Sequence, residues 1–229
     1  MRKLRICDGK VLFVESLRVD GNMRSFSDDE DEKVISNQKK VAKECGTTGD
    51  KTVRVLTTYD RGTYLEYFEV NEDNLADYCI LKPESKLKTA DGLVTKSKDI
   101  ALLLPLADCL GVVLYDVRQE ILALVHSGRQ NLEEDGAYKF VIFLKDKMGC
   151  RPEDLKVYLS PHAQNFEIYK LDNVKLAEAA REQLMRAGVL EENIEASDVD
   201  TVTNEDYPSN SAGDKFERFA ICAKIKAKK

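Results

Sequence analysis

A cysteine and a histidine lie in two neighbouring apolar segments of a chain that contains only two histidines. Residues 104–134 read LPLADCLGVVLYDVRQEILALVHSGRQNLEE, with Cys109 in the first apolar run and His126 near the end of the second. A thiol and an imidazole that meet can share a metal ion, or can act as a nucleophile and its base. The chemistry therefore depends on whether the fold brings these two side chains together.

The polar residues DVRQ separate the two apolar runs and predict a hairpin loop. With the turn centred between Val117 and Arg118, Cys109 lies directly opposite His126, and directly opposed residues share a face of the sheet. A shift of the turn by one residue places the two side chains on opposite faces. We predict that Cys109 and His126 lie on adjacent antiparallel strands with their side chains close together.

The residues around this pair add acid and anion-binding groups. Asp108 precedes the cysteine, and the small, polar run SGRQN leads from His126 into the start of a helix. This neighbourhood favours Asp108, Cys109 and His126 as catalytic residues. The alternative is structural, because cysteine is among the most buried residue types and a histidine after an apolar run is often a satisfied sheet-end residue.

The elements that must position these residues follow from hydrophobic periodicity and capping signals. Strands are predicted at residues 10–19, in 52–70 as two strands about a turn at Asp60–Gly62, and at 92–95, 100–116, 120–127, 155–161 and 217–225. Helices are predicted at about 28–45, at 131–149 with Asn131 as the cap, and at 173–188. This irregular alternation predicts an α+β fold in which mixed, largely antiparallel sheets carry flanking helices, as a single domain over residues 1–229.

Composition argues against several classes of protein. The chain has 229 residues, 43% of them hydrophobic, and a formal charge of −6, which makes nucleic acid an unexpected partner. It has no apolar run of about 18 residues, so no membrane association is expected. Its six cysteines form no C-x-x-C pair, which is typical of a reduced, cytoplasmic protein.

The same residues resemble the YfiH-like laccase-domain family, once called multicopper polyphenol oxidases and better described as zinc-dependent purine nucleoside phosphorylases. TADGLVTKSKDIALLLPLADCLGVVLYD is similar to the A-D-A-L-V-T and A-D-C-L-P motifs of that family. LALVHSGRQNLEEDG is similar to its H-A-G-W-R-G-L motif, and LKVYLSPHAQNFEI resembles its G-P-x-I stretch. The resemblance implies an enzyme fold of the same type and a zinc ion bound by Cys109, His126 and one further histidine.

That further histidine is missing here. The family's Q-x-H-G motif falls on Tyr59–Gly62, so that Arg61 occupies the ligand position. A guanidinium that is always charged removes a ligand and adds repulsion, so zinc affinity is expected to be weakened or lost. Arg129 replaces the family's tryptophan. We expect Arg61, Arg129 and Tyr59 to contact substrate, and we do not expect His162 to replace the missing ligand.

Three functions fit the sequence. The first is a nucleoside enzyme of the purine nucleoside phosphorylase type, whose small-molecule substrates are a nucleoside and phosphate. The second is a catalytically degenerate binding domain on the same fold. The third is a hydrolase that uses Cys109 as nucleophile and His126 as base. Multicopper oxidation is disfavoured, because Cys109 and the two histidines of the chain cannot supply several copper centres.

Overall fold

The computed structural model describes residues 1–24, 31–57 and 65–227. Its strands, in chain order, are β1 (Arg2–Ile6), β2 (Val11–Glu15), β3 (Thr52–Val53), β4 (Tyr67–Glu69), β5 (Gly92–Thr95), β6 (Ala101–Leu106), β7 (Leu110–Asp116), β8 (Ile121–Ser127), β9 (Leu155–Leu159), β10 (Glu167–Ile168), β11 (Val174–Lys175), β12 (Ile194–Ala196) and β13 (Phe219–Ile225). The α-helices are α1 (Asp31–Glu44), α2 (Leu75–Tyr78), α3 (Arg129–Glu133), α4 (Gly136–Met148) and α5 (Leu176–Arg186). None of the helices described is long and apolar enough to cross a membrane.

Two large sheets carry the fold. One has the strand order β1-β2-β13-β6-β3 and the other β12-β9-β7-β8-β5-β4, while β10 and β11 form a small separate ribbon. Neighbouring strands are antiparallel except for β3 with β6, β12 with β9 and β4 with β5, which are three of the four edge pairs of the large sheets. The predicted α+β class with largely antiparallel sheets is confirmed.

The two sheets face each other, and helices cover their outer faces. Leu102 and Leu104 of β6 lie in one buried cluster with Val113 of β7 and Leu124 of β8, which places this cluster between the sheets. On the outer side of the six-stranded sheet, alternate residues of β7 and β8 pack against α4 and α5. On the outer side of the other sheet, Val41 of α1 packs against β6 and β13. The central strands β6, β7 and β8 are buried at every position because both of their faces are covered.

The hairpin of β7 and β8 differs in register from the sequence prediction. Its last pair is Asp116 with Ile121, and His126 pairs with Gly111 instead of Cys109. The Asp116 carboxylate accepts hydrogen bonds of 2.8 Å from the backbone N–H groups of Arg118 and Gln119, which fixes a four-residue loop. Glu120 then adopts a left-handed φ of 54°, without a glycine to signal it in the sequence. The register moves by two residues, so both side chains keep the predicted face.

Two further sequence predictions are corrected. The strands predicted within 52–70 do not pair with each other, since β3 joins β6 in one sheet and β4 joins β5 in the other; the turn at Asp60–Gly62 lies outside the described residues. The helix predicted at 131–149 is two helices, α3 and α4, separated at Asp135, whose φ is 61°. Asn131 is therefore a buried residue inside α3 and not a cap. Strand β1 was not predicted.

Gly111, the strand partner of His126, faces the other sheet and leaves no room there for a side chain. A Cβ at this position would lie 2.2 Å from Cδ1 of Ile221 on the opposite sheet and 3.1 Å from Cδ1 of Leu106. Ile221 has no exposed surface, so its side chain has little room to move. The absence of a side chain at Gly111 therefore sets the distance between the sheets beside His126.

We expect Gly111→Ala to lower the free energy of unfolding by about 1–3 kcal/mol through overpacking against Ile221. Ile221→Val removes the clashing methyl group and alone costs about 0.5–1.5 kcal/mol. In the double variant the two effects should sum to less than their separate values, as measured by chemical denaturation. Ile225→Val on the same strand is the matched control and should combine additively with Gly111→Ala. Additivity of Gly111→Ala with Ile221→Val would contradict the predicted contact.

Candidate active site

His126 lies at the end of β8 between two neighbouring strands. On one side its strand partner is Gly111 of β7. On the other side its backbone N–H donates a 2.8 Å hydrogen bond to the carbonyl of Asp91, the residue immediately before β5. Because directly opposed residues share a face, the side chains of Asp91 and His126 lie side by side on the face between the two sheets.

Cys109 reaches His126 from the other direction. It lies in the bend just before β7, two residues ahead of Gly111, and packs against the buried cluster between the sheets. Both side chains border the empty space beside Gly128. A Cβ added to Gly128 would lie 3.0 Å from Sγ of Cys109 and 3.2 Å from Nε2 of His126. The predicted proximity of Cys109 and His126 is therefore confirmed, but the predicted pairing is wrong, since Cys109 lies just before β7 and pairs with no residue of β8.

Asp91 provides a buried carboxylate behind the imidazole. Its side chain is 2% exposed, and its Oδ1 lies 3.7 Å from Nδ1 of His126. This separation is longer than a hydrogen bond, and Nδ1 has no hydrogen-bond partner among the described residues. We therefore treat the contact as an attraction between charges. The other oxygen, Oδ2, accepts from the backbone N–H of Leu65 at 2.7 Å and from Nδ2 of Asn131 at 3.1 Å.

These neighbours alter the acidity of the imidazole. Burial by itself lowers the pKa of His126, but the carboxylate of Asp91 and the sulfur of Cys109 outweigh burial and raise the pKa to about 9. The two neighbours therefore favour the protonated ring over the neutral one.

Asp108 is placed beside Cys109, but its carboxylate is engaged in holding two loops. Oδ1 accepts from Oγ1 of Thr201 at 2.9 Å, and Oδ2 accepts from the backbone N–H of Ser211 at 2.7 Å. Its φ of 72° turns the chain sharply just before Cys109. The contacts indicate that Asp108 shapes the site, and its predicted catalytic role stays a prediction.

A cavity of about 300 Å³ opens in front of Cys109. Asp108 and Cys109 line it on one side, Arg129 and Phe166 on another, and Ser211 closes it from the C-terminal part of the chain. Cys109 is half-buried, whereas His126 is only 6% exposed and does not line the cavity. A bound molecule would therefore contact Cys109 directly, and His126 would act through Cys109.

Arg129 is the first residue of α3 and is exposed at the cavity. In the part of the chain that the structure describes, its guanidinium has no ion pair and no hydrogen bond. A guanidinium offers paired donors suited to phosphate or carboxylate. Arg129 is therefore positioned to bind an anion in the cavity, and its contact with substrate stays a prediction.

The remaining predicted residues are not brought into the site by the described structure. Arg61 and Tyr59 lie outside the described residues. His162 does not line the cavity, and its Nδ1 lies 2.8 Å from the carbonyl oxygen of Ser160. The expectation that His162 is not a ligand stays a prediction.

The donor atoms present do not make a complete zinc site. Sγ of Cys109 and Nε2 of His126 face one common point, but zinc usually takes three or four protein ligands. Across residues 1–24, 31–57 and 65–227, no group of three or more His, Cys, Asp and Glu side chains is arranged to hold a metal ion. The described residues thus supply two of the ligands that the resemblance implies and do not fit zinc as a full set.

Sequence reasoning missed Asp91. The residue lies in the segment TADGLVT, immediately before a predicted strand, and an acidic residue at a buried strand end was the available signal. The pairing of β5 with β8 joins segments about thirty residues apart in sequence without a short hairpin to fix it, so the register could not be predicted. Ser211 was missed for the same reason, since it reaches the cavity from the far end of the chain.

The six cysteines differ in exposure, and this difference predicts which thiol reacts. Cys109 is half-buried and the other five are buried. Burial raises the pKa of Cys150 to about 12 and also raises the pKa of Cys7, so these thiols are poor nucleophiles. We expect a water-soluble disulfide reagent to modify one thiol rapidly in the native protein and the rest only after unfolding.

Cys109→Ser should abolish the rapid reaction, whereas the matched variant Cys150→Ser should leave it unchanged. The thiol count is read from absorbance before and after addition of denaturant. Two or more rapid thiols, or a rapid thiol that persists in Cys109→Ser, would contradict this assignment.

Several relatives in sequence share the name purine nucleoside phosphorylase. A purine nucleoside phosphorylase of Borreliella burgdorferi is 33% identical over 94 residues, which cover 39% of this chain and 38% of that protein. A purine nucleoside phosphorylase of Corynebacterium glutamicum is 26% identical over 149 residues, covering 64% of this chain and 56% of that protein. In both cases the match spans less than two thirds of the relative's length.

The crystal structure of the hypothetical protein YfiH from Bacillus licheniformis superposes with a TM-score of 0.84 at 20% identity, covering 94% of this chain and 93% of that one. At this identity the similarity establishes the fold alone. The family described as multi-copper polyphenol oxidoreductase laccase matches residues 16–173, which include Asp91, Cys109 and His126. The chain therefore belongs to the multi-copper polyphenol oxidoreductase laccase family, in its YfiH-like form.

Proposed function

We propose that this protein cleaves purine nucleosides with phosphate, in the cavity in front of Cys109. The observation that carries the proposal is a cavity with Cys109, backed by His126, at one wall and Arg129, whose guanidinium has no partner among the described residues, at another. The relatives named purine nucleoside phosphorylase support this choice of reaction. A volume of about 300 Å³ is at the lower end of the range for small-molecule sites and suits a nucleoside.

The residues suit the bond changes of phosphorolysis. The bond between C1′ of the sugar and the purine nitrogen breaks, and a bond between C1′ and a phosphate oxygen forms. The departing base takes up a proton and the phosphate gives one up. Cys109, which faces the cavity, can pass a proton that His126 resupplies, since both side chains border the space beside Gly128.

Arg129 is assigned to the phosphate. Its guanidinium lies at the cavity without a partner in the described structure, and a charged hydrogen bond to phosphate contributes about 1.5–3 kcal/mol. Phe166 offers an aromatic surface on the same side of the cavity. The nucleoside would then lie between Phe166 and Cys109, with phosphate toward Arg129.

We expect purified protein to release free base from adenosine or inosine only when phosphate is present. Arg129→Gln should raise KM for phosphate by about 10–150-fold, the equivalent of one charged hydrogen bond. Arg5→Gln is the matched control, since Arg5 is also exposed but lies on β1 of the other sheet. Base release is followed by chromatography over a range of phosphate concentrations.

Two other results would redirect the assignment. If neither nucleoside is cleaved with or without added metal, the protein is a degenerate binding domain and the proposal fails. If an activated ester instead leaves an acyl group on Cys109, detected by mass spectrometry, the protein is a thiol hydrolase. The buried carboxylate of Asp91 behind His126 favours this second candidate over the degenerate domain, because Asp, His and Cys in this order can activate a thiol nucleophile.

The incomplete ligand set leads to a prediction about zinc. We expect protein purified without chelator to contain well below one zinc per chain, because two ligands do not complete a site and Arg61 adds charge at the family's third ligand position. Arg61→His should raise zinc content toward one per chain, measured by mass spectrometry of the metal. Arg5→His serves as the control for an added histidine. Stoichiometric zinc in the unaltered protein would refute the expectation.

A further inference from the structure

A buried carboxylate faces one of the two ring nitrogens of His126. Oδ1 of Asp91 lies 3.7 Å from Nδ1, and Nδ1 has no other polar partner among the described residues. The opposite nitrogen, Nε2, points to the space beside Gly128 that Sγ of Cys109 also borders. The two ring nitrogens therefore have different environments, one acidic and enclosed, the other directed at the thiol.

The carboxylate decides which nitrogen keeps its proton. A proton on Nδ1 is attracted by the adjacent anion, whereas a lone pair on Nδ1 would face that anion at close range in a buried position. Both side chains are nearly inaccessible to water, with 8% and 2% exposure, so solvent does little to weaken the preference. The neutral ring should therefore carry its hydrogen on Nδ1.

The remaining contacts of Asp91 hold its carboxylate in this orientation. Oδ2 accepts two hydrogen bonds, from the backbone N–H of Leu65 and from Nδ2 of Asn131, and the backbone carbonyl accepts from the N–H of His126. Oδ1 is left to face the imidazole. Through its carboxylate and its carbonyl, Asp91 thus joins β5 to β8, to α3 and to Leu65 in the segment before β4.

We propose that Asp91 is a positioning residue that keeps a proton on Nδ1 of His126, so that Nε2 is the nitrogen that exchanges protons with Cys109. The location of the proton follows from the geometry alone. Its consequence for catalysis, in which Cys109 presents that proton to a bound nucleoside, rests on the proposed function. The two parts are tested by separate measurements.

Nitrogen NMR of the histidine rings tests the location of the proton. The chain has only two histidines, so protein labelled with ¹⁵N-histidine gives four ring nitrogen signals. We expect Nδ1 of His126 to keep a directly bonded hydrogen in the unaltered protein when the pH is raised above the pKa of the ring, where only one of its nitrogens carries hydrogen. His162 is an internal reference, because its Nδ1 lies 2.8 Å from the carbonyl oxygen of Ser160 and must donate there.

Asp91→Asn gives the decisive comparison. The amide oxygen can keep the hydrogen bonds from Leu65 and Asn131, which turns the amide NH₂ toward Nδ1 and makes Nδ1 an acceptor. We expect the neutral ring of His126 to move its hydrogen to Nε2, while the signals of His162 stay unchanged. Asn131→Ala is the matched control, since it removes one contact of Asp91 but keeps the carboxylate, and should leave the hydrogen on Nδ1.

An Nδ1 of His126 without hydrogen in the unaltered protein would overturn the proposal. A neutral His126 ring that still carries its hydrogen on Nδ1 in Asp91→Asn would also overturn it. If Asp91→Asn does not fold, the spectrum of the unaltered protein and that of Asn131→Ala decide the matter. For the catalytic part, Asp91→Asn should lower kcat for nucleoside cleavage at least about tenfold with little change in KM. An unaltered kcat together with a displaced proton would leave the proton location intact and refute its role in turnover.

Discussion

The antiparallel register across β5, β8 and β7 is the constraint on which the site depends. It aligns Asp91, His126 and Gly111 in one row across the six-stranded sheet, with Cys109 two residues beyond Gly111 on the same face. A one-residue slip in either pairing would turn the imidazole or its neighbours to the helical side of the sheet. Such a slip would also move apolar residues from one packed face of these strands to the other, where the opposing side chains do not fit them. The packing of the core and the chemistry of the site are therefore fixed by the same pairing.

Rigid strand ends hold the reactive pair, and loops from distant parts of the chain close the cavity around it. The Asp108 carboxylate ties the turn before Cys109 to Thr201 and to Ser211. A buried carboxylate that accepts two hydrogen bonds is an effective way to fix loops that share no sheet hydrogen bonds. The two aspartates of the site therefore have different roles. Asp108 holds the cavity wall in place, and Asp91 faces the imidazole.

Membership of the family fixes the fold more firmly than the reaction. The chain superposes closely on YfiH at 20% identity, and a shared fold at that identity does not establish a shared activity. Cys109 and His126 border one common space, and the resemblance places Arg61 where the family has its first histidine. Such a replacement changes the charge of the site as well as its number of ligands. Arg129 lies at the edge of the cavity, and its positive charge suits a bound anion better than a bound metal ion.

The sequence by itself determined the elements whose signals are local. Apolar runs separated by a polar loop predicted β7 and β8, and capping and periodicity predicted α1 and α5 to within a few residues. The shared face of Cys109 and His126 also followed, because a hairpin leaves few choices of register and the error of two residues preserved the face. Only the tertiary structure decided that Asp91 stands beside His126, that β3 and β4 enter different sheets, and that Ser211 reaches the cavity. Pairings between distant segments are selected by the packing of the whole core, which no short stretch of sequence encodes.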